Sequence, residues 1–412
     1  MQLIGSAERT TTMQVIGSAE RSTTMGTIGK SSQTEGERAG FGSTVTDNRI
    51  KLEVYPSGFK LLLPFRIFPK VFLMRSYKVC GLGNAIVDIF LETSDEEFAG
   101  LGFERGTMRL VDAAEQKSLL EQLNTKGHEL RLVSGGSVAN SIIGMSQLGG
   151  KGAFIGCVGD DRYGLHYVEE FSDLKINIGN PVIVSEATGT SLVLVTPDAE
   201  RTMRTCLAVS SHLAAKHVDA DRIAQSEWLF IEGYVFANPE TGQHAIREAI
   251  RCAKQSGTKI AITCSDGFIP QVFGDALHTA LKDCTLLFCN APEAMAITKT
   301  DDSTKAFNAL KTIVPNCVVT DGPNGAFVNY EGTECHVPSF VCQPKDLTGA
   351  GDMFAGAFLY GITHGYAPAV AARAANYLCM KVITQVGARL IGDAQTFWQE
   401  ALDDYRADDV GG

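Results

Sequence analysis

From residue 78 onward, short apolar runs alternate with longer stretches in which apolar residues recur at helical spacing. The runs are rich in β-branched residues and end at glycine or polar residues, so each predicts a buried strand. The stretch 239-257 illustrates the helical pattern: Pro239 follows a cap candidate, Asn238, and Gly257 closes the run. The alternation predicts an α/β fold, a doubly wound and mostly parallel sheet flanked by helices. The predicted strands are residues 79-83, 153-159, 228-233, 259-264, 286-290 and 317-322.

Two stretches interrupt this alternation. Residues 86-112 and 181-208 contain β-leaning segments, such as T-G-T-S-L-V-L-V at 188-195, with no helical pattern between them. We therefore expect them to form a small β-sheet outside the main sheet, as a lid or an edge.

The first 76 residues have a different texture. A near-repeat of twelve residues (MQLIGSAERTTT, MQVIGSAERSTT, MGTIGKSSQTEG) is too short and too polar to bury a core, which predicts disorder or an extension unrelated to the fold. The apolar stretch 59-74 is interrupted by two prolines and three basic residues and is too short to span a bilayer. Three interpretations stay open for this stretch: a targeting or membrane-associating extension, an edge element leading into the first strand, or a segment absent from the mature protein. Residues 1-76 as a whole are expected to be a low-complexity extension, disordered or partly targeting.

Composition narrows the class of protein. The chain has 412 residues and a net charge of -11, and residues 1-76 alone carry +4 (10 Lys/Arg against 6 Asp/Glu), so the rest carries -15. An acidic body argues against nucleic acid as a partner. Eleven cysteines without a C-x-x-C pair indicate reduced thiols and a cytoplasmic location, with organelle targeting by the extension as the alternative. We expect no stable membrane insertion, one domain over 78-405 and a tail at 406-412.

The stretch D-L-T-G-A-G-D at 346-352 precedes an apolar helix pattern. Gly349 and Gly351 permit a tight turn whose N–H groups, with the helix dipole, form an anion hole. A carboxylate at Asp352 would repel a bound phosphate. It makes sense if it takes a proton from a hydroxyl while the phosphate is held beside it, or if it simply favours the helix dipole.

Two further motifs contain candidate site residues, each with a structural alternative. In S-G-G-S-V-A-N-S at 134-141, the paired glycines let the backbone approach a ligand and Asn140 offers an amide to a hydroxyl, although such glycines also form ordinary caps. In N-A-P-E at 290-293, Asn290 and Glu293 follow a buried strand and could orient waters around magnesium. The alternative for this second motif is a helix start with an Asn cap and a proline in the first turn.

The order of the motifs is the specific signal: G-x-G-N-x-x-x-D, then G-G-x-x-x-N, then N-x-x-E, then D-x-T-G-A-G-D. In this order they make residues 78-405 resemble the PfkB carbohydrate-kinase family of the ribokinase-like superfamily. The resemblance implies a ribokinase-like domain with a small β-sheet lid, which transfers phosphate from ATP to the hydroxymethyl group of a sugar or nucleoside.

Within that family, GNAIVD at 83-88, FERGTMRLVD at 103-112 and TPDAERTMRT at 196-205 look most like the adenosine-kinase-like branch. The expected acceptor is therefore a ribonucleoside, adenosine first. A sugar kinase of the ribokinase, fructokinase or ketodeoxygluconate kinase type is the alternative, and a non-catalytic ligand-binding relative is the second. The expected partners are small molecules only, and a monomer and a homodimer are both open.

The resemblance also assigns roles to residues. It makes Asp352 the general base, places the anion hole at Gly349, Ala350 and Gly351, and gives magnesium to Asn290 and Glu293 through water. Arg201, in the lid, is expected to contact substrate or phosphate on closure. The resemblance assigns binding of the acceptor's hydroxyls to Asn84, Asp88, Gly135, Gly136 and Asn140. It assigns binding of the nucleotide to Asn290, Thr320, Gly322, Gly325 and Asn376.

One position departs from the family pattern. The residue after Asp346 is usually small or proline, and here it is Leu347. In relatives this position lies near a monovalent-cation site, so the resemblance leaves K+ dependence doubtful while ATP and Mg2+ are expected.

Overall fold

The structure, a computed structural model, describes residues 75–124, 130–179, 182–198 and 200–410. These residues belong to one unit of the chain. The predictions for residues 1–74 lie outside the described residues.

Strands and helices are named in chain order. The strands are β1 Tyr77–Leu82, β2 Ile86–Glu92, β3 Met108–Leu110, β4 Arg131–Gly135, β5 Gly152–Ile155, β6 Val158–Gly159, β7 Asn177–Ile178, β8 Val182–Ile183, β9 Gly189–Val195, β10 Arg201–Cys206, β11 Ser226–Ile231, β12 Lys259–Thr263, β13 Leu286–Asn290, β14 Cys317–Thr320, β15 Ala326–Tyr330 and β16 Thr333–Val337. The helices are α1 Asp95–Gly100, α2 Ala113–Asn124, α3 Ser137–Gln147, α4 Arg162–Asp173, α5 Ala220–Ala224, α6 Gly242–Ser256, α7 Phe268–Val272, α8 Gly274–Leu281, α9 Ala291–Thr298, α10 Ser303–Leu310, α11 Ala350–Thr363, α12 Pro368–Ile383 and α13 Ala394–Val410.

The main sheet has nine strands in the order β16-β15-β14-β13-β12-β11-β1-β5-β7. From β7 to β14 all neighbours pair in parallel, and β15 and β16 add an antiparallel edge. This confirms the predicted mostly parallel sheet. One predicted strand, 153-159, is split: the chain leaves the sheet after Ile155, and Val158–Gly159 pairs with β8 instead.

Side chains alternate between the two faces of this sheet, because successive residues of a strand point in opposite directions. Val79 and Phe154 belong to one apolar layer and Cys80 and Ile155 to the other. The first layer includes residues of α3, α11 and α12, and the second includes residues of α6, α8 and α9. Helices therefore cover both faces, as a doubly wound sheet requires.

Helix α6 corrects one expected boundary. It begins at Gly242 and not just after Asn238, because Gly233–Ala237 forms a 3-10 helix and the Asn238 N–H donates back to the Val235 carbonyl. The predicted end holds: Gly257 caps the helix in the left-handed region, at φ 68°.

The second sheet has five strands in the order β3-β10-β9-β2-β4. The stretches 86-112 and 181-208 supply four of them, as predicted, and β4 is an addition that its polar sequence, R-L-V-S-G, did not reveal. The expectation that no helix lies within 86-112 is wrong. Helix α1 forms there because Ser94 and Glu97 make a reciprocal capping box.

Helices α3 and α11 pack closely together in the core. A Cβ added at Gly356 would lie 2.3 Å from the Ser141 carbonyl oxygen, and one added at Gly144 would lie 2.9 Å from the Met353 sulfur. Glycine is therefore required at Gly356 for this approach. Because the helices are this close, their first turns lie side by side.

Three further expectations concern the whole chain. All eleven cysteines are described as free thiols, and eight of them are buried. Among the described residues, no helix is long and apolar enough to cross a membrane. Helix α13 continues to Val410, through most of the expected tail.

Candidate active site

The site is built around the start of α11. Its cap residue, Gly349, has φ 78°, and a Cβ there would lie 2.6 Å from backbone atoms of Ala388, so only glycine fits the turn. A glycine cap has no side chain to satisfy the first N–H groups of the helix. The N–H groups of Gly351 and Asp352 donate to no acceptor among the described residues, while the Ala350 N–H donates to the Leu347 carbonyl. Two unpaired N–H groups at a helix N-terminus favour an anion.

Asp352 lies in this first turn and faces α3. Its carboxylate accepts hydrogen bonds from Ser137 Oγ at 2.6 Å and from Asn140 Nδ2 at 3.0 Å. Burial raises the pKa of Asp352 to about 6, and the hydrogen bonds from Ser137 and Asn140 oppose that rise. A carboxylate of this kind is ionised at neutral pH and more basic than an exposed one, which suits a general base. The predicted acceptor ligand Asn140 thus contacts Asp352 directly.

A cavity of about 190 Å³ adjoins Asp352. It is lined by Ser137, Asn290, Glu293, Thr320 and Gly351, among others. Motifs far apart in the sequence therefore meet in one place, at the carboxyl ends of β13 and β14, where open α/β sheets bind ligands. The volume is below that of a drug-sized pocket and is suited to a phosphoryl group with its waters.

A larger cavity, of about 980 Å³, lies elsewhere among the described residues. It is bounded by α6, α7 and α8 and contains none of the predicted site residues. Size alone would select it, but neither of the carboxylates that line it, Asp275 and Asp283, is buried, so the smaller cavity is the better candidate for phosphate chemistry.

Asn290 and Glu293 form a reciprocal cap on α9. The Asn290 side chain accepts from the Glu293 N–H at 2.9 Å, and the Glu293 carboxylate accepts from the Asn290 N–H and Nδ2, each at 2.9 Å. Burial raises the pKa of Glu293 to about 7. The helix-cap interpretation of N-A-P-E is thus confirmed.

The same two side chains have the chemistry for a hydrated magnesium ion. Each of their oxygens accepts one hydrogen bond within the cap and retains a second lone pair, which suits contact with the waters of the ion. Among the described residues, no group of three or more His, Cys, Asp or Glu side chains forms a metal site. Magnesium binding through water stays a prediction.

The predicted acceptor ligands also come together. Gly136 caps α3 at φ 108°, and a Cβ there would lie 2.1 Å from the Asn84 carbonyl oxygen. Gly135 leaves room for Asp88, whose Oδ2 would lie 2.8 Å from an added Cβ. Burial raises the pKa of Asp88 to about 7, although Arg389 and Arg201 lower it. Asn84 and Asp88 of the first motif therefore lie against Gly135 and Gly136 of the second. Together they form one polar wall of the site.

Glu232 is a site residue that the sequence analysis missed. It is buried at the end of β11 and accepts from Asn84 Nδ2 at 2.7 Å and from the Val138 N–H at 3.2 Å. Burial raises the pKa of Glu232 to about 7. Its contact fixes the Asn84 amide and leaves Asn84 Oδ1 without a donor among the described residues. The signal was present in the sequence: the apolar run W-L-F-I ends in a carboxylate at the edge where ligands bind.

Arg201 lies on β10 of the small sheet and reaches the turn before α11. Its guanidinium contacts the Asp346 carboxylate and the Thr348 hydroxyl. Asp346 is buried, while Leu347 next to it is exposed. Arg201 is therefore bound to protein groups here, and its predicted contact with substrate or phosphate stays a prediction.

The residues predicted for the nucleotide are divided between two places. Thr320 ends β14 and lines the cavity, and Gly322 and Gly325 form the turn that follows, closed by the Asp321 N–H on the Gly325 carbonyl at 2.7 Å. Asn376, on α12, donates to the carbonyls of Val337 and Pro338 and does not line the cavity.

The chain is similar in sequence to a family of known proteins. The sequence profile of the pfkB family carbohydrate kinases matches residues 106–394. The chain belongs to the pfkB family. It is a phosphotransferase with an alcohol group as acceptor, and kinases of this family use ATP with Mg2+.

Relatives of this pfkB kinase include proteins with different acceptors. An adenosine kinase of Saccharomyces cerevisiae is 26% identical over 310 residues, which cover 69% of this chain and 88% of the relative. A ribokinase of Haemophilus influenzae is 27% identical over 242 residues, which cover 57% of this chain and 75% of the relative. The crystal structure of adenosine kinase from Sinorhizobium meliloti is similar at a TM-score of 0.70 and 30% identity, covering 79% of this chain and 99% of that one. The ribokinase-like fold is thereby confirmed.

Proposed function

We propose that this pfkB kinase transfers the γ-phosphoryl group of ATP to the hydroxymethyl group of a ribonucleoside, with adenosine as the preferred acceptor. The proposal rests on the environment of Asp352. Its carboxylate has a raised pKa and lies beside unpaired N–H groups, in one cavity with Asn290 and Glu293. A base and an anion site side by side are what phosphoryl transfer to a hydroxyl needs.

The proposed step is an in-line displacement. The acceptor oxygen forms a bond to the γ-phosphorus, its proton passes to the Asp352 carboxylate, and the bond from phosphorus to the bridging oxygen breaks to release ADP. Ser137 and Asn140 hold the carboxylate by hydrogen bonds throughout. Because these two donors also favour the ionised form, they keep Asp352 ready to accept a proton at neutral pH.

The anion hole is proposed to consist of the N–H groups of Gly351 and Asp352, with Gly349 shaping the turn. The Ala350 N–H contributes less than the family pattern implies, because it is bound to the Leu347 carbonyl. Preorganised donors of this kind stabilise charge that develops on the transferring oxygens. Magnesium, held through water by Asn290 and Glu293, would supply the remaining charge neutralisation.

For the acceptor, the proposal assigns Asp88 and Asn84 to the hydroxyls of a ribose. Gly135 and Gly136 belong to the same site, where their missing side chains make room for Asp88 and Asn84. A carboxylate accepts hydrogen bonds from two adjacent hydroxyls, and Asn84 Oδ1 has a free acceptor position. Adenosine is supported by the adenosine kinases among the relatives, one of which aligns with more of the chain than the ribokinase does.

Two other functions have some support. A sugar kinase would use the same wall of Asp88 and Asn84, since ribofuranose and fructofuranose also offer adjacent hydroxyls, and the ribokinase match favours it. A non-catalytic ligand-binding relative would keep the fold, but the arrangement around Asp352 argues against it. For ATP, Thr320, Gly322 and Gly325 are proposed to bind the nucleotide and Asn376 to lie near its base, in a kinase domain over 78-405.

The test is turnover with magnesium-ATP over a panel of adenosine, inosine, ribose, fructose and ketodeoxygluconate. We expect kcat/KM for adenosine to exceed that for every sugar by about tenfold or more, which corresponds to roughly 1.4 kcal/mol of discrimination. A sugar as best substrate would overturn the acceptor and keep the kinase. Phosphorylation of no compound would overturn the catalytic proposal, with Asp352→Asn as the matched blank.

A further inference from the structure

The Arg201–Asp346 ion pair joins the small sheet to the main domain. Arg201 belongs to β10, and Asp346 belongs to the segment that leads into α11. The two side chains are 14% and 2% exposed, which makes this the most buried ion pair of the described residues. Breaking a buried pair leaves an uncompensated charge, so its position is held more firmly than that of a surface pair.

Asp346 also accepts hydrogen bonds from the two chain segments on either side of Gly349. Its Oδ1 accepts from the Thr348 N–H at 2.8 Å, and its Oδ2 accepts from the Gly387 N–H at 2.6 Å. Thr348 precedes the cap Gly349, and Gly387 precedes Ala388, the residue against which Gly349 packs. One carboxylate thus fixes the two chain segments between which the cap glycine is fitted.

The charge of Asp346 needs an explanation, because a buried anion close to an anion hole would repel the phosphate it should stabilise. The positive charge of the Arg201 guanidinium neutralises the Asp346 carboxylate. The same guanidinium also contacts the Thr348 hydroxyl, so it touches the turn at two points. The position of the turn before α11 and the net charge around it therefore both depend on Arg201, a residue of the small sheet.

We propose that Arg201 is a positioning residue, which acts through Asp346 to hold the anion hole of α11 in shape and thereby couples the placement of the small sheet to phosphoryl transfer. This inference rests on the proposed function of the α11 turn. It differs from the expectation that Arg201 itself contacts the phosphate: in that case Arg201 and Asp346 would contribute independently.

A double-mutant cycle distinguishes the positioning role of Arg201 from a direct contact with the phosphate. Arg201→Gln and Asp346→Asn should each lower kcat by about 100-fold, because misplacing a catalytic group by about 1 Å has an effect of that size, with the KM of the acceptor changed less than about threefold. If Arg201 acts through Asp346, the double variant should be no slower than the slower single variant, within about twofold. Losses that multiply would overturn the proposal.

Arg105→Gln is the matched control. Arg105 is also an arginine near the small sheet with two carboxylate partners, Asp95 and Asp198, but its pairs are exposed. Its substitution should leave kcat within about twofold of wild type, since exposed pairs contribute little. A loss as large as that of Arg201→Gln would show that any disturbed ion pair of this region slows the enzyme, and would overturn the specific role of Arg201.

Amide hydrogen exchange of the nucleotide-free protein gives a readout that does not need turnover. In Arg201→Gln, peptides covering 346–351 and 385–388 should exchange about tenfold faster, because the N–H groups of Thr348 and Gly387 lose a fixed acceptor. Unchanged exchange there would overturn the proposal even if kcat falls. If the wild type phosphorylates nothing, the proposed function fails while this measurement still decides the coupling.

Should a single variant not fold because it buries an unpaired charge, the double variant Arg201→Gln, Asp346→Asn contains no such charge and serves instead. We expect it to fold and to show the same faster exchange at 346–351. Wild-type exchange in the folded double variant would contradict the positioning role.

Discussion

Two helices of this kinase, α9 and α11, begin in nearly the same way and use the result differently. Each has an acidic residue three positions after its cap: Glu293 follows Asn290, and Asp352 follows Gly349. In α9 the carboxylate folds back onto the cap and satisfies it. In α11 the cap has no side chain, and the carboxylate bonds to Ser137 and Asn140 of another helix.

A glycine cap leaves groups free that an Asn cap binds. In α9 the Asn290 side chain accepts from the Glu293 N–H and the Glu293 carboxylate accepts from Asn290, so the cap and the acidic side chain bind each other. A Gly cap leaves both available, the N–H groups to an anion and the carboxylate to a proton. In the proposed mechanism, the unpaired N–H groups of Gly351 and Asp352 make α11 the reacting helix and α9 the supporting one.

The largest expected effect is at Asp352. Asp352→Asn should lower kcat by about 10³- to 10⁴-fold, because the amide cannot take the proton, while ATP affinity stays within a few-fold. Single-turnover kinetics and equilibrium nucleotide titration measure the two quantities. Near-normal turnover would refute the role of Asp352 as base and remove the functional contrast between the two helices.

The cap glycine comes next. Gly349→Ala should lower the free energy of unfolding by roughly 2–4 kcal/mol, because the methyl group meets Ala388 and φ is 78°. Gly351→Ala is the control, since no atom lies within 4 Å of an added Cβ there. Urea denaturation of both variants makes the comparison. Equal losses of stability would show that the turn does not need glycine at its cap specifically.

A smaller effect is expected at α9. Glu293→Gln should raise the magnesium concentration for half-maximal activity about tenfold, because glutamine can preserve the cap but lacks the charge. Magnesium titration at saturating ATP and acceptor measures it, with thermal unfolding as a check that the cap persists. An unchanged requirement would leave Glu293 with its capping role alone.

The smallest effect is a shift in pH dependence. Asp352 must be ionised to act, so kcat should fall as the pH drops through about 6. Ser137→Ala removes a hydrogen bond that favours the ionised form, so the pKa of Asp352 should rise and the midpoint should move up by about half a unit to one unit. The pH profile of kcat for both proteins tests this. A midpoint that moves down would contradict the assigned sign.

Much of the site was predictable because its motifs are local. Gly349, Gly351 and Asp352 occupy one turn, and Asn290 and Glu293 another, so backbone rules and helix capping suffice to interpret them. The mostly parallel sheet followed from the alternation of apolar runs with helical patterns. Helix α1 could have been found too, since S-D-E-E is a capping signature, but the β-leaning residues around it dominated the pattern.

What could not be predicted are contacts between distant segments. Glu232 with Asn84, and Arg201 with Asp346, join residues far apart in the chain whose partners only the fold selects. Asn140 was assigned to the acceptor because an amide suits a hydroxyl, yet its contact with Asp352 depends on how α3 lies against α11. Sequence motifs identify the candidate side chains, and tertiary packing determines which of them come into contact.

Gly356 extends the candidate site beyond the residues that are proposed to touch the substrates. It lies one helical turn after Asp352, and Ser141, on which it packs, lies one turn after Ser137. The same helix spacing therefore sets both the glycine contact and the reach of the base. A mutational scan scored on activity should mark Gly356 as intolerant even to alanine, and a redesign of the acceptor pocket should leave the seam between the two helices untouched.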